Sequence, residues 1–204
     1  MENEKLTGRA KSSEAHSLLH FPFVIFTLAM SLILGVDPGL NITGYGVIEC
    51  AGGKLRVREA GVVRGKAGGS LAERVRRIHE GLTEVIAAFS PAAMALEELY
   101  SHYERPRTSI LMGHARGVIC LAAAQAGIEV VPYAATQIKK ILTGNGRAPK
   151  TQMQQAIQRE LSLSDPPDPP DVADALAVAL CHHYLGRQTP LPAAALRQPN
   201  GRCQ

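Results

Sequence analysis

At 204 residues, 46% apolar and 20% charged, the chain has the makeup of one soluble globular domain with a full hydrophobic core. A net charge of +4 admits an anionic partner such as nucleic acid without requiring one. Cys50, Cys120, Cys181 and Cys203 show no C-x-x-C or Cys/His spacing, which argues against structural zinc and a disulfide framework and fits a reducing, cytosolic compartment. Cys120 and Cys181 fall in helical apolar patterns and are expected as reduced core residues.

Residues 1–29 differ in pattern from the rest of the chain. Met1 to Ser17 is polar and Leu18 to Met30 is almost wholly apolar. A basic start before a dozen apolar residues resembles a secretory signal. Against that, the apolar run continues through Leu32-Ile33-Leu34, and Pro22 interrupts a stretch barely long enough for an anchor. The break in pattern points to Met30 as the functional start, or to residues 1–29 as a dispensable extension outside a domain of residues 30–186.

Leu32 to Val36 is a continuous apolar run ending in Asp37-Pro38-Gly39, the pattern of a strand buried on both faces. A carboxylate at such a strand end needs a cation, a donor or a metal; the simpler alternative is an aspartate capping the Pro-Gly turn. Thr43 to Ile48 continues as a second strand, and after the turn Ala51 to Lys54 a third spans Leu55 to Val63. Ser70-Leu71-Ala72-Glu73 is a capping box that opens a helix burying Leu71, Val75, Ile78, Leu82, Val85, Ile86 and Phe89. Arg74, Arg76, Arg77 and Glu80 lie largely elsewhere, as a solvated face does.

Ala93 to Leu96 is a fourth strand, running into Glu97-Glu98, and a loop with Tyr100, Arg105 and Arg107 comes next. Ser109 to Ala126 reads as a helix rich in small residues, suited to close approach by the sheet or another subunit. Glu129 to Tyr133 is a fifth strand, and Ala135 to Leu142 a short helix with Lys139 and Lys140. Gly144 to Lys150, containing Arg147, reads as a flexible basic loop; Thr151 to Leu161 is helical, and the run Asp165 to Pro170 a rigid linker. The last helix spans Asp171 to Gly186, burying Ala173, Leu176, Ala177, Leu180, Cys181 and Tyr184, with Asp171 and Asp174 on one side of its first turn. His182 and His183 complement its C-terminal dipole, and residues 187–204 read as a disordered tail.

Asp37 and Glu97 thus stand at the ends of two strands, and Asp171 with Asp174 at the start of one helix. If they converge, they repel one another unless a cation intervenes, and magnesium is the oxygen-seeking candidate. Singly, each is weak evidence, since Asp171 and Asp174 also suit a helix N-terminus. The element order β-β-β-α-β-α-β-α is that of an α/β ribonuclease-H-like fold with a mixed five-stranded sheet flanked by helices.

Ile33 to Gly39 with Thr43-Gly44-Tyr45-Gly46 resembles the opening of the RuvC family of crossover junction endodeoxyribonucleases. Ala95 to Tyr100, Gly113 to Gly117, Ala134 to Lys140, Gly144 to Lys150 and Asp171 to Ala177 match that family in order, so the similarity covers about residues 31–186. It implies a homodimer that binds a four-way Holliday junction and makes paired symmetric nicks, with one or two magnesium ions per subunit or manganese in their place. On matching positions it implies Asp37, Glu97, Asp171 and Asp174 as metal-binding catalytic acids, with Lys139 and Lys150 near the scissile phosphate. Tyr100 matches an aromatic position that would stack on an unpaired base; Arg105, Arg107, Lys140 and Arg147 would contact DNA. Solvated lysines and an ordinary packed tyrosine are the alternatives. The resemblance also implies the helix 109–126 as a dimer interface and a branch-migration helicase complex (RuvA and RuvB) as partner; the cysteine pattern and the interrupted apolar run point to a cytoplasmic enzyme with no membrane association.

Three other classes fit parts of the pattern. An actin-like ATPase or sugar kinase needs a duplicated domain for which the chain is too short. A related ribonuclease-H-like nuclease would share the acids and differ in its substrate surface. A non-catalytic DNA-binding module would not require four placed acids.

Overall fold

The computed structural model describes residues 31–66, 68–99 and 106–186. The expected extension (1–29) and tail (187–204), together with Tyr100 and Arg105, lie outside the described residues. The chain order is β1 (Ser31–Asp37), β2 (Ile42–Ala51), β3 (Lys54–Arg64), α1 (Leu71–Phe89), β4 (Ala93–Glu97), α2 (Pro106–Gln125), β5 (Glu129–Tyr133), α3 (Ala135–Thr143), α4 (Lys150–Glu160) and α5 (Pro170–Gly186).

Short turns make β1, β2 and β3 an antiparallel meander, whereas helical crossovers return β4 and β5 parallel to β1. The result is one mixed five-stranded sheet of order β3-β2-β1-β4-β5, the α/β ribonuclease-H-like architecture expected. Because β1 and β4 are buried on both sides, their side chains divide between two cores. Leu34, Val36, Met94 and Leu96 pack with Ile78 and Leu82 of α1 and Ile119 of α2. Ile33 and Ala95 face the opposite way, against Ile138 of α3, Ile157 of α4 and Leu176 and Leu180 of α5.

Helix α5 lies unusually close to the sheet because glycines leave room for its backbone. A Cβ on Gly35 would stand 2.2 Å from the Ala175 carbonyl oxygen, one on Gly44 2.0 Å from that of Asp171, and one on Gly46 2.6 Å from Leu176 Cδ2. Register puts Gly46 opposite Gly35 and Gly44 opposite Asp37, so the three form one bare patch under α5. Thr43, fully buried, closes the Pro38-Gly39 turn by donating to the Gly39 carbonyl at 2.7 Å.

Several boundaries and burials differ from expectation. Helix α2 begins at Pro106, not Ser109, because proline's missing N–H costs nothing in a first helical turn; Arg107 is therefore helical. Pro170 opens α5 for the same reason. The expected flexible loop before α4 is a hydrogen-bonded turn: Gly144 takes the left-handed conformation (φ 75°), the Arg147 N–H donates to Asn145 Oδ1 at 3.0 Å, and Ala148 is buried. Lys150 is the first residue of α4 rather than the end of a loop. Leu71 is exposed, Cys120 and Tyr184 are only half-buried, and Tyr184 donates to Glu160. His182 does not serve the helix terminus: its Nδ1 lies 2.9 Å from Tyr133 Oη on β5.

Candidate active site

Alternation along the strands decides where the first two acids point. Asp37 lies two residues beyond Gly35 and four beyond Ile33, on the α5 face of β1, and Glu97 lies two beyond Ala95 on the same face of β4. Parallel pairing ends at Val36↔Leu96, so the two carboxylates leave the sheet side by side. Glu98, just past the strand end, is exposed and lines a neighbouring cleft that also includes Asp37 and Glu97. The glycine patch brings the start of α5 down onto the same strand ends and adds Asp174.

Asp37, Glu97 and Asp174 line one cleft of about 300 Å³ together with Lys139 of α3 and Lys150 of α4, over an apolar floor that includes Ile138 and Met153. Asp171 stands apart from this lining, one turn earlier on α5, with its charge still felt at Asp37. Of the other expected residues, Arg107, Lys140 and Arg147 are exposed and do not line the cleft.

The electrostatics are those of crowded acids. Burial, then repulsion by Glu97, Asp174 and Asp171, pushes Asp37 up to about 8, with Lys150 acting in the opposite direction. Burial and Asp174 raise Glu97 to about 7, against the pull of Lys139. Lys150 Nζ is 3.4 Å from Asp174 Oδ2, a half-exposed pair. Two ammonium groups therefore offset only part of the negative charge, leaving a site that favours added protons or an added cation.

All the acidic donors are carboxylate oxygens, which suits a hard divalent cation. Among the described residues no group of three or more acidic, histidine or cysteine side chains is arranged to hold a metal ion by itself. Magnesium commonly takes one or two carboxylates and completes its shell with water and substrate phosphate, so an open, shared set fits it.

One contact was not foreseen. Arg116 Nη1, on α2, donates to the main-chain carbonyl of Glu97. Its only sequence signal was its place in the Gly113-His114-Ala115-Arg116-Gly117 motif, which says nothing about the partner.

Fold and acidic cleft together are those of a ribonuclease-H-like hydrolytic nuclease. Residues 33–182 match the family model for crossover junction endodeoxyribonuclease RuvC. The chain is 59% identical over 155 residues to the crossover junction endodeoxyribonuclease RuvC of Rhodopirellula baltica, covering 76% of this chain and 87% of the relative. Thermus thermophilus RuvC superposes with a TM-score of 0.71 at 36% identity, covering 77% of this chain and 96% of that one. The same protein in complex with Holliday junction substrate gives 0.73 at 34% identity, covering 78% and 96%. The chain belongs to the RuvC family of crossover junction endodeoxyribonucleases. It is a metal-dependent hydrolase that cuts DNA phosphodiester bonds at crossover junctions.

Proposed function

We propose that the chain resolves four-way DNA junctions by paired symmetric nicks, with Asp37, Glu97, Asp171 and Asp174 as its metal-binding catalytic acids. The observation that carries this reading is the meeting of Asp37, Glu97 and Asp174, from three separate elements, in one cleft with Lys139 and Lys150. One or two magnesium ions per subunit, or manganese, would be held by these acids. When bound, the metal supplies the positive charge that activates an attacking water and stabilises the leaving oxygen.

The chain's own groups do the rest. Asp37 and Glu97 close the neighbouring strands β1 and β4 and present their oxygens from adjacent strand ends. Asp174, and Asp171 one turn away, approach from the helix. Lys139 and Lys150 carry ammonium groups where a scissile phosphate entering the cleft gathers negative charge, and such charge is best met by groups already in place.

Arg107, Lys140 and Arg147 are exposed cations suited to backbone phosphates, which supply much of the affinity for DNA. Tyr100 is assigned to base stacking and Arg105 to phosphate contact by family match alone. A homodimer would place two such sites for two strands. In support, the outer side of α2 has open space beside Gly113 and Gly117, and Ile110 and Leu121 are 63% and 49% exposed. Residues 30–186 are taken as the nuclease domain, acting in the cytoplasm with a RuvA–RuvB branch-migration complex. No helix among the described residues is long and apolar enough to cross a membrane.

The test is strand cleavage of a synthetic four-way junction beside a matched linear duplex, with and without magnesium. Paired, magnesium-dependent nicks confined to the junction are expected. Cutting of both substrates would indicate a general nuclease, and cutting of neither a junction-binding protein with disabled acids.

A further inference from the structure

We infer that Arg116 is a positioning residue, holding Glu97 in place from the helix that carries the exposed small-residue face. This rests on the reading of Glu97 as a metal-binding acid.

Glu97 is the last residue of β4, where strand support runs out on one side only. The Glu98 N–H donates to the Tyr133 carbonyl of β5 at 2.9 Å. The carbonyl of that same peptide, on Glu97, points the opposite way because a trans peptide directs its two polar groups to opposite edges. On that edge the pairing of β4 with β1 has already ended, at Val36↔Leu96. A half-buried carbonyl left there needs a donor, and the Arg116 guanidinium provides it. The peptide after Glu97 is thus gripped from β5 through its N–H and from α2 through its carbonyl.

Arg116 acts on position rather than on carboxyl charge. The charges felt by the Glu97 carboxyl are those of Asp174 and Lys139, whereas Arg116 meets the main chain. The helix that carries it is anchored from inside by Ala115 and Ile119, both fully buried. On either side of Arg116 in sequence, Gly113 and Gly117 have nothing within 4 Å of where a Cβ would be. One stretch of α2 therefore joins the sheet core, the Glu97 backbone and an open outer surface.

The experiment compares Arg116→Met, Arg116→Lys and Glu97→Gln in the full chain. Junction affinity, oligomeric state, cleavage rate at saturating junction, and the rise in Tm on titration with magnesium chloride are measured for each. Arg116→Met is expected to bind junction within about twofold of the parent, cleave about 10–100-fold more slowly and need about tenfold more magnesium for the half-maximal rise in Tm, the usual cost of losing an outer-shell support. Arg116→Lys, which keeps a cationic donor, should recover most of both losses. Parent-like cleavage and magnesium response in Arg116→Met would overturn the assignment. So would equal impairment of the Met and Lys variants with a parallel loss of Tm, which marks simple packing. Continued cutting by Glu97→Gln would instead remove the reading on which the inference rests. An inactive Glu97→Gln beside an unimpaired Arg116→Met would overturn the Arg116 role alone.

Discussion

Gly35 in β1 and Ala175 in α5 are in backbone contact: a methyl group on Gly35 would lie 2.2 Å from the Ala175 carbonyl oxygen and 2.8 Å from Ala179 Cβ. No flexible side chain stands there to yield, so Gly35→Ala must lift the helix or bend the strand. Overpacking of this kind costs about 1–3 kcal/mol, and urea unfolding should show at least that. Because the displaced helix also carries Asp174, cleavage should fall by more than the loss of folded protein explains. Wild-type stability in Gly35→Ala would mean that α5 has slack.

Removing one acid should separate cutting from binding. Asp37→Asn and Asp174→Asn are expected to abolish cleavage while junction affinity, measured by gel shift at fixed salt, survives because the exposed cations are untouched. Residual cutting near the parent rate in either variant would remove that residue from the catalytic set.

The raised acids predict how metal-free stability varies with pH. Asp37 is raised from 3.8 to about 8 and Glu97 from 4.5 to about 7, so between these limits the folded state holds protons that the unfolded chain has released. The stability they contribute is fully present below about pH 4 and is lost progressively as pH rises from there through the folded values, to about pH 8. In EDTA, Tm should therefore decline over that range, and Asp37→Asn should flatten the decline. Magnesium competes with those protons, so its stabilising effect should be larger at pH 8.5 than at pH 6. Lys150 opposes the rise at Asp37, so Lys150→Gln should move the midpoint of the metal effect to higher pH. Identical pH slopes in parent and Asp37→Asn would show that Asp37 is not the titrating group.

The outer side of α2 predicts the assembly. Gly117→Arg should fill the open space above the helix and reduce a dimer to monomers by light scattering, with folded-state Tm barely altered. Nicks in the two junction strands should then lose their pairing. A dimer that withstands Gly117→Arg would place the interface elsewhere.

Much of the molecule was legible in local pattern. The Ser70–Glu73 capping box is present with both reciprocal bonds, Ser70 N–H to Glu73 Oε2 at 2.9 Å and Glu73 N–H to Ser70 Oγ at 3.3 Å. Strand periodicity was enough to put Glu97 on the same face as Ala95, because it depends only on neighbours in the chain. Asp171 and Asp174 share a helix turn as their spacing required, yet that spacing did not say that Asp174 would line the cleft and Asp171 stand apart from it.

The amino-acid sequence by itself determined the order of the elements, the acids at their ends and, through ordered motifs, the family. Tertiary structure alone decided the partners: Lys150 with Asp174 across 24 residues, Arg116 with Glu97 across 19, and His182 with Tyr133 across 49. Helix and strand signals arise from interactions a few residues apart and repeat along the chain, so they can be read locally. A side chain reaching a distant carbonyl, carboxylate or hydroxyl leaves no such period, and its partner exists only once the sheet and its helices have packed.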